Sequence, residues 1–501
     1  MTWHKQTIQK DVYDAPPRES ITAWMVPNLK FAGLANIPNG IYVREETRNL
    51  WATLEGLGTD GGKKRGVWVS GPPGVGKSTE VYAWGMYQAT RCVSERRNML
   101  WVHQSSEFCE IVKIVDGLMA RASIESCNVD EVLKECGGCE ILIFDAVRDS
   151  MKNLVLKAIR KFEDAVIVAC TSYQSGSINQ ELWAKYETIF NFDYTVYSWT
   201  WDQYEAAHEA RVFGEIELEE LRGKFYYCGG CIRLMVREVD NILHFLTKTL
   251  KKVNDKSVLL GGLGGVSSAA AVNSLVSVRP SEEDADMTYV ISQYVSRMLS
   301  LMVDNSFLEK MQSVNTDNPA WQGWVFEFRL LHSLKKMKST NLAFNLLPLD
   351  EASCPALNIV VSDVLRYLGP GSQRKIFGNN TLFIPEKWNQ GCFDAVYFHE
   401  NAGQRCFEFL NATIAESHIF KCQHMANFLA WAIGTPAARA PPYSDVKVTL
   451  YAVTCFNNRN RFKLDACEVI GHESIQPFDP SFSPTPTQSR VLQILHTEEG
   501  L

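Results

Sequence analysis

The sequence predicts an α/β protein built as two domains, and three observations carry that expectation. Short apolar runs alternate with helical patterns between residues 67 and 171, a glycine-rich element stands between one such run and the helix after it, and a small, uncharged stretch divides the chain near its middle. A length of 501 residues also exceeds the roughly 250–300 at which a single core stops growing.

Residues 1–50 are rich in proline and turn residues and end in Ile41-Tyr42-Val43-Arg44, ahead of a helix through Leu50, Trp51 and Leu54, so residues 1–60 read as an N-terminal arm and linker helix. Val67-Trp68-Val69-Ser70 is the continuous apolar run expected of a strand covered on both faces. Strand-like runs follow at 99–103, 140–145 and 165–171, separated by helical segments expected around 107–121, 129–136 and 150–162. Strands alternating with helices imply a parallel sheet. Beyond residue 200 the pattern is helical through 201–210, 218–227 and 232–252, which suits a small lid closing a domain over 61–256. The stretch SVLLGGLGGVSSAAAVNSLV (257–276) has linker composition. Over 277–501, helices expected around 284–303 and 321–337 precede strands at 392–398, 405–413 and 447–455, an α/β domain of a different plan.

Net charge is −7 and the pI near 5.9, so no overall positive field holds nucleic acid by counterion release, and any such contact is local. Cys136 and Cys139, like Cys228 and Cys231, form a CxxC pair, yet about ninety residues separate the pairs and each adjoins a strand or helix start that explains it. They are expected to be reduced thiols. Residues 1–20 hold no apolar signal segment and no run of eighteen apolar residues occurs, so the expectation is a soluble chain with no membrane partner, whose secretion would need a route other than a Sec signal.

Gly71-Pro72-Pro73-Gly74-Val75-Gly76-Lys77-Ser78 fits GxxxxGK[ST] after a strand and at a helix start. The glycines let backbone N–H groups turn inward around phosphates, Lys77 reaches the β- and γ-phosphates, Ser78 ligates Mg²⁺ and Thr79 completes the contacting set. Chance would supply the pattern in about 1–2% of chains this long, before strand and helix are required in place. The domain is therefore expected to be a P-loop NTPase binding ATP or another nucleoside triphosphate with magnesium. Ile141-Leu142-Ile143-Phe144-Asp145 supplies the second magnesium carboxylate at a strand end. Ala146 stands where many such enzymes carry a water-polarising glutamate; Asp149 is a substitute, and slow hydrolysis is expected. Thr171 and Ser172 end a strand, where a hydroxyl serves either near the γ-phosphate or as a strand-end cap. Arg233, opening a lid helix after Gly229-Gly230-Cys231-Ile232, either turns back to the nucleotide or is solvated.

Ile41-Tyr42-Val43-Arg44, VWVSGPPGVGKSTEVYAWGMYQA (67–89), ILIFDAV (141–147), Trp199-Thr200-Trp201 and Gly229-Gly230-Cys231-Ile232-Arg233 together resemble the Crinkler effectors of oomycetes and fungi and the related retrotransposon hot spot proteins of trypanosomes. The resemblance runs over most of the chain, and only the P-loop is specific alone. It implies a P-loop ATPase joined to a nuclease-like domain of the restriction-endonuclease fold, the PD-(D/E)xK type, over 277–501, with DNA and nuclear proteins of a host or of the cell itself as partners and a nucleus as the place of action. The ubiquitin-like header of translocated Crinklers is absent from this sequence, so an intracellular relative is the alternative to a secreted effector.

Phosphodiester hydrolysis with Mg²⁺ needs two or three convergent carboxylates and a lysine. Glu327, on a helix, and Asp394, at a strand, match positions acidic in that family, with Asp394 as a metal ligand. The following strand should carry an acid and a lysine two residues apart, but Glu408 is followed by Leu410 and Asn411 by Thr413 on the opposite face. In either register the lysine is missing. His418, with Lys421 nearby, either fills the vacancy as a general base or bonds a helix start. A rival reading of the whole chain is a nucleotide-dependent protein-interaction switch whose second domain cleaves nothing.

Overall fold

A computed structural model describes residues 4–7, 23–25, 32, 34, 40–57, 65–91, 94–105, 108–124, 128–147, 149–171, 190–253, 274–280, 287–300, 319–340, 343–348, 357–373, 376–385, 392–412, 419–434, 443, 445–454, 468–482 and 490–494. Two compact units divide the chain, Met1–Val295 and Ser296–Leu501.

The elements of the first unit are β1 (His4–Thr7), β2 (Ala23–Met25), β3 (Gly40–Tyr42), α1 (Glu45–Glu55), β4 (Gly66–Ser70), α2 (Lys77–Thr90), β5 (Met99–Gln104), β6 (Cys109–Val115), β7 (Leu118–Ile124), α3 (Val129–Glu135), β8 (Ile141–Asp145), α4 (Asp149–Lys161), β9 (Val166–Cys170) and β10 (Phe190–Thr195). Helices α5 (Trp201–Glu209), α6 (Leu218–Cys228), α7 (Ile232–Met235) and α8 (Val239–Lys252) follow, then β11 (Val276–Arg279), β12 (Met287–Val290) and α9 (Gln293–Ser300), which carries the division between units.

One sheet runs in the order β1-β7-β6-β5-β8-β9-β4-β10. Its five strands from β5 to β10 are all parallel, and β6, β7 and β1 extend it antiparallel. The parallel strands β4, β8 and β9 are buried along their whole length, as helices on both faces require of their apolar sequences. Val81, Trp84 and Met86 of α2 pack one face with Trp101 and Ile143, while Leu154, Val155 and Ala158 of α4 pack the other with Leu142 and Phe144. Because β9 lies between β4 and β8, the phosphate loop and Asp145 sit two strands apart at the same sheet edge.

Four expectations are corrected. The helix expected around 107–121 is replaced, over 109–124, by the hairpin β6–β7: the two strands pair antiparallel, and Asp116 and Gly117 hold φ of 52° and 77°, the left-handed pair of a two-residue turn. The helix expected around 284–303 begins only at Gln293, and Met287–Val290 instead pairs with Val276–Arg279. Val278 exchanges hydrogen bonds with Ser198, whose hydroxyl accepts from the Val278 N–H, and so ties this pair to the first unit. The expected boundary at 257–276 thus precedes the observed division by a hairpin; residues 254–273 lie outside the described residues. The single helix expected over 232–252 is two, α7 and α8.

The second unit holds α10 (Pro319–Thr340), β13 (Ala343–Pro348), β14 (Leu357–Val360), β15 (Asp363–Tyr367), β16 (Thr381–Pro385), β17 (Ala395–Asn401), β18 (Gln404–Ala412), β19 (Ile419–Lys421), α11 (Gln423–Ile433), β20 (Val446–Thr454), β21 (Glu468–Ile470) and β22 (Arg490–Ile494). Its mixed sheet has the order β14-β13-β22-β20-β18-β17-β16-β15. Leu330, Leu331 and Leu334 of α10 pack one face with Ala395, Tyr397 and Leu410, and Phe428 and Trp431 of α11 pack the other with Val396, Phe407 and Phe409. The buried stretch of central β18, residues 406–411, is therefore apolar on both faces except at Glu408 and Asn411, which parity puts on opposite sides.

Candidate functional site

Three glycines shape the phosphate loop. Gly71, Gly74 and Gly76 hold φ of 142°, 81° and 115°, and a Cβ on the first would lie 2.3 Å from the Val196 carbonyl oxygen and on the second 2.5 Å from the Cys231 sulfur. Only glycine tolerates both the conformation and the approach. Gly76 caps α2, so the positive end of that helix opens on the loop. The Lys77 ammonium donates to the Gly71 and Pro72 carbonyls at 2.8 and 2.7 Å. Burial pushes Lys77 down to about 8, with Arg233 adding to the shift and Asp145 opposing it. A cation that among the described residues is held by carbonyls alone, at a cost to its charged state, has an unmet demand for anionic oxygen, and the loop fits a polyphosphate.

The magnesium position fits as well. The Ser78 hydroxyl donates to Asp145 Oδ1 at 2.6 Å, so the two predicted ligands converge from α2 and β8. The other oxygen, Oδ2, lies 2.6 Å from His103 Nδ1. His103 is opposite Asp145 in the β5–β8 register, so it orients a carboxylate that is 1% exposed. Sequence reasoning missed it, because the neighbour of Asp145 is fixed by strand pairing and not by a motif. Ala146 follows with φ of 55°, and its methyl group offers no base to an attacking water.

The pieces quoted for the family resemblance meet at this loop. Arg44, 1% exposed, donates to Glu80 Oε1 at 2.9 Å, to the Val75 carbonyl at 3.3 Å and to the Tyr197 carbonyl at 3.1 Å, with its guanidinium 4.9 Å from the Trp199 ring. The Trp199 indole N–H donates to the same Val75 carbonyl at 2.9 Å. Thr200 and Gln203 close a capping box at the start of α5. Behind Pro73 and Gly74 stands the start of α7: the Arg233 N–H donates to the Gly74 carbonyl at 3.3 Å and the Cys231 thiol to the Pro73 carbonyl at 3.5 Å. The Arg233 side chain is exposed and makes no hydrogen bond or ion pair among the described residues. Thr171 is buried, and its hydroxyl donates to the Val147 carbonyl at 3.3 Å, the bond of a strand-end cap. Ser172 lies outside the described residues, and Thr79 is buried in the first turn of α2.

In the second unit, Glu327 of α10 and Asp394 at the start of β17 share one neighbour. Arg297 lies 3.6 Å from Glu327 Oε1 and donates to the Asp394 carbonyl oxygen at 3.3 Å. Burial raises both acids; Asp394 adds to the shift of Glu327, and Arg297 opposes it in each. Asp394 Oδ2 also accepts from the Ala412 N–H at 2.7 Å, which moors it to β18. Asn411 falls across from Asp394 when the β17–β18 register is continued by one pair, and its buried Oδ1 has no partner among the described residues. Glu408 is three residues further along β18, about 10 Å at 3.3 Å per residue, on the other face. There it meets His399 Nε2 at 3.2 Å. Glu327 and Asp394 thus meet through Arg297, Asn411 is tied to Asp394 by strand register alone, and Glu408 does not join them. Thr413 and His418 lie outside the described residues; Lys421 ends β19, not a helix. Sequence reasoning also missed Arg297, which no motif marks.

No protein-family model matches the chain, and neither does any curated protein. Solved structures do. DnaA from Aquifex aeolicus, bound to AMPPCP, is 9% identical with coverage of 60% of this chain and 90% of that one, at a TM-score of 0.29. C. elegans PCH-2 is 12% identical with coverages of 49% and 72% at 0.26, and the Drosophila ORC bound to DNA is 15% identical with 68% and 90% at 0.26. Scores this low do not establish a shared fold along the aligned length, so the reading of the first unit rests on its own strand order, its glycine loop and the meeting of Ser78 with Asp145.

Proposed function

We propose that the protein is a nucleotide-operated switch: the first unit binds ATP or another nucleoside triphosphate with magnesium and hydrolyses it slowly. The observation that carries this reading is the placement of the buried Lys77 ammonium and the Ser78–Asp145 contact around one glycine-cradled loop. On binding, Lys77 exchanges the Gly71 and Pro72 carbonyls for phosphate oxygens, and loop N–H groups from Gly74 to Ser78 cover the remaining charge. Magnesium would supply charge neutralisation at the phosphates. Ser78 and Asp145 would hold it with His103 keeping Asp145 oriented, and Arg233, whose N–H bonds the Gly74 carbonyl of the loop, would add a cation on the lid side. Ala146 leaves the attacking water without a carboxylate, so turnover is slow.

Residues 277–501, in keeping with the resemblance to Crinkler effectors, are proposed as a restriction-endonuclease-like domain directed at DNA in a nucleus. Within it, Arg297 between Glu327 and Asp394 favours a degenerate site that grips a partner over one that cleaves: a fixed guanidinium occupies the charge that a metal would supply, and Asn411 replaces the third acid. Two assays on the full chain test these readings. MgATP should raise the melting temperature more than ATP with EDTA, and an equal shift contradicts the magnesium site. Plasmid DNA should remain unnicked with Mg²⁺ present; nicking lost in Asp394→Ala would restore the nuclease.

A further inference from the structure

The β17–β18 hairpin gathers three donors that neither the nucleotide site nor the acid pair uses. His399 lies across from Cys406 and Tyr397 across from Glu408 in the register, so imidazole, thiol and carboxylate emerge from one face of the sheet. One donor atom from each, a His399 ring nitrogen, the Cys406 sulfur and a Glu408 carboxylate oxygen, lie within 4.8 Å of one another. From these positions we propose that His399, Cys406 and Glu408 form a binding site for a divalent metal ion of the zinc class.

Several independent features converge on that assignment. Glu408 is 5% exposed, and while Oε1 meets His399 Nε2 at 3.2 Å, Oε2 has no hydrogen-bond partner among the described residues. A buried carboxylate oxygen without a donor is costly, and a cation removes the cost. The mixture of sulfur, nitrogen and oxygen selects among ions: magnesium and calcium demand oxygen ligands, whereas zinc and its neighbours take this set. Bond lengths of about 2.0–2.3 Å put tetrahedral donors roughly 3.3–3.7 Å apart, so closure needs a contraction of up to about 1.5 Å. The Tyr397 ring stacks on the imidazole at 5.2 Å and 20°, which fixes its plane before a ligand arrives. Three protein ligands leave a fourth position open, and the His399 side chain, 21% exposed, gives it access to solvent.

The competing reading of the trio is a nucleophilic thiol with a histidine base. Burial and the Glu408 charge hold the Cys406 thiol up, the opposite of what an attacking thiolate needs. A metal ion reverses that balance, displacing the thiol proton to solvent as the sulfur–metal bond forms. Lys447, across from Cys406 on β20, is exposed and remains hydrated. The site is separate from Asp394 and Asn411, so its fate does not depend on whether DNA is bound or cut.

The test uses the full chain, stripped of metal by dialysis against a chelator and titrated with Co²⁺ as the spectroscopic probe. One equivalent should produce thiolate-to-cobalt charge-transfer absorption that Zn²⁺ then abolishes by displacement. Cys406→Ser should eliminate the charge-transfer band, Glu408→Gln and His399→Gln should each weaken Co²⁺ binding at least about tenfold, and Cys136→Ser should leave the spectrum unchanged. His399→Gln alters a partly exposed side chain and serves if the Cys406 variant fails to fold. A wild-type chain without the charge-transfer band overturns the proposal, as does a band that survives Cys406→Ser or affinity unchanged in both other variants.

Discussion

Arg44→Ala should loosen the first unit by more than any surface change. The guanidinium is buried and hydrogen-bonds Glu80, the Val75 carbonyl and the Tyr197 carbonyl, so its loss strands a carboxylate whose second oxygen, Oε2, already has no partner among the described residues. Breaking a buried ion pair by removing one member costs roughly 3–5 kcal/mol, mostly the price of leaving the other charge uncompensated. At about 2–4 °C per kcal/mol for a domain of this size, the melting temperature should fall on the order of 10 °C. The assay is thermal and urea unfolding of the full chain, followed by tryptophan fluorescence, because Trp51, Trp84 and Trp199 surround the pair or its helix. Arg44→Met combined with Glu80→Met should recover at least about half of the loss, since replacing both charges removes the stranded one. A shift under about 0.5 kcal/mol for Arg44→Ala, or a double variant no better than the single, would refute the reasoning.

Burial lowers Lys77 to about 8 from an ordinary 10.5, and phosphate oxygens favour its ammonium, so in that window the bound form holds more protons than the free form. Affinity for ATP should fall by up to about tenfold per pH unit above 8, with uptake of close to one proton, read by calorimetry in two buffers of different ionisation heat; a flat profile between roughly pH 7.5 and 9.5 contradicts it. Asp145→Asn should keep ATP binding in EDTA and lose its enhancement by magnesium, and His103→Ala should weaken that enhancement by about tenfold; wild-type magnesium titrations in both would remove Asp145 and its histidine from the site. Glu327 is raised from 4.5 to about 8, so the folded chain retains a proton that the unfolded chain has lost, and stability should decline as pH rises through that window. Glu327→Gln should flatten this decline in melting curves, and an unchanged slope would show that the carboxyl is not buried with Asp394.

The nucleotide loop was legible because its chemistry is local: eight consecutive residues contain the glycines, the lysine and the hydroxyl, and Asp145 ends an unmistakable apolar run. What joins them was not legible. His103 reaches Asp145 through a strand register, and Arg44 reaches Val75 and Glu80 across more than thirty residues. The hairpin at 109–124 looked helical because Ile111, Val112, Ile114 and Val115 satisfy a helical spacing as readily as an alternating one; Asp116-Gly117 was the signal that separates them. Glu408 and Asn411 were equal candidates until pairing with β17 gave each its face and neighbours. The His399 cluster was invisible for the same reason, since a cross-strand pair leaves no spacing pattern in the sequence.

The central claim is that Lys77 and its loop hold the phosphates of a nucleoside triphosphate. The most direct measurement is calorimetric titration of MgATP into the full chain beside Lys77→Ala, with melting curves to confirm that both are folded. The wild type should bind one equivalent, and Lys77→Ala, which removes an ammonium bonded to the Gly71 and Pro72 carbonyls, should keep its fold and lose at least about a hundredfold in affinity, a difference of roughly 2.7 kcal/mol. Equal affinities in two folded proteins, or no binding by the wild type, would contradict the account.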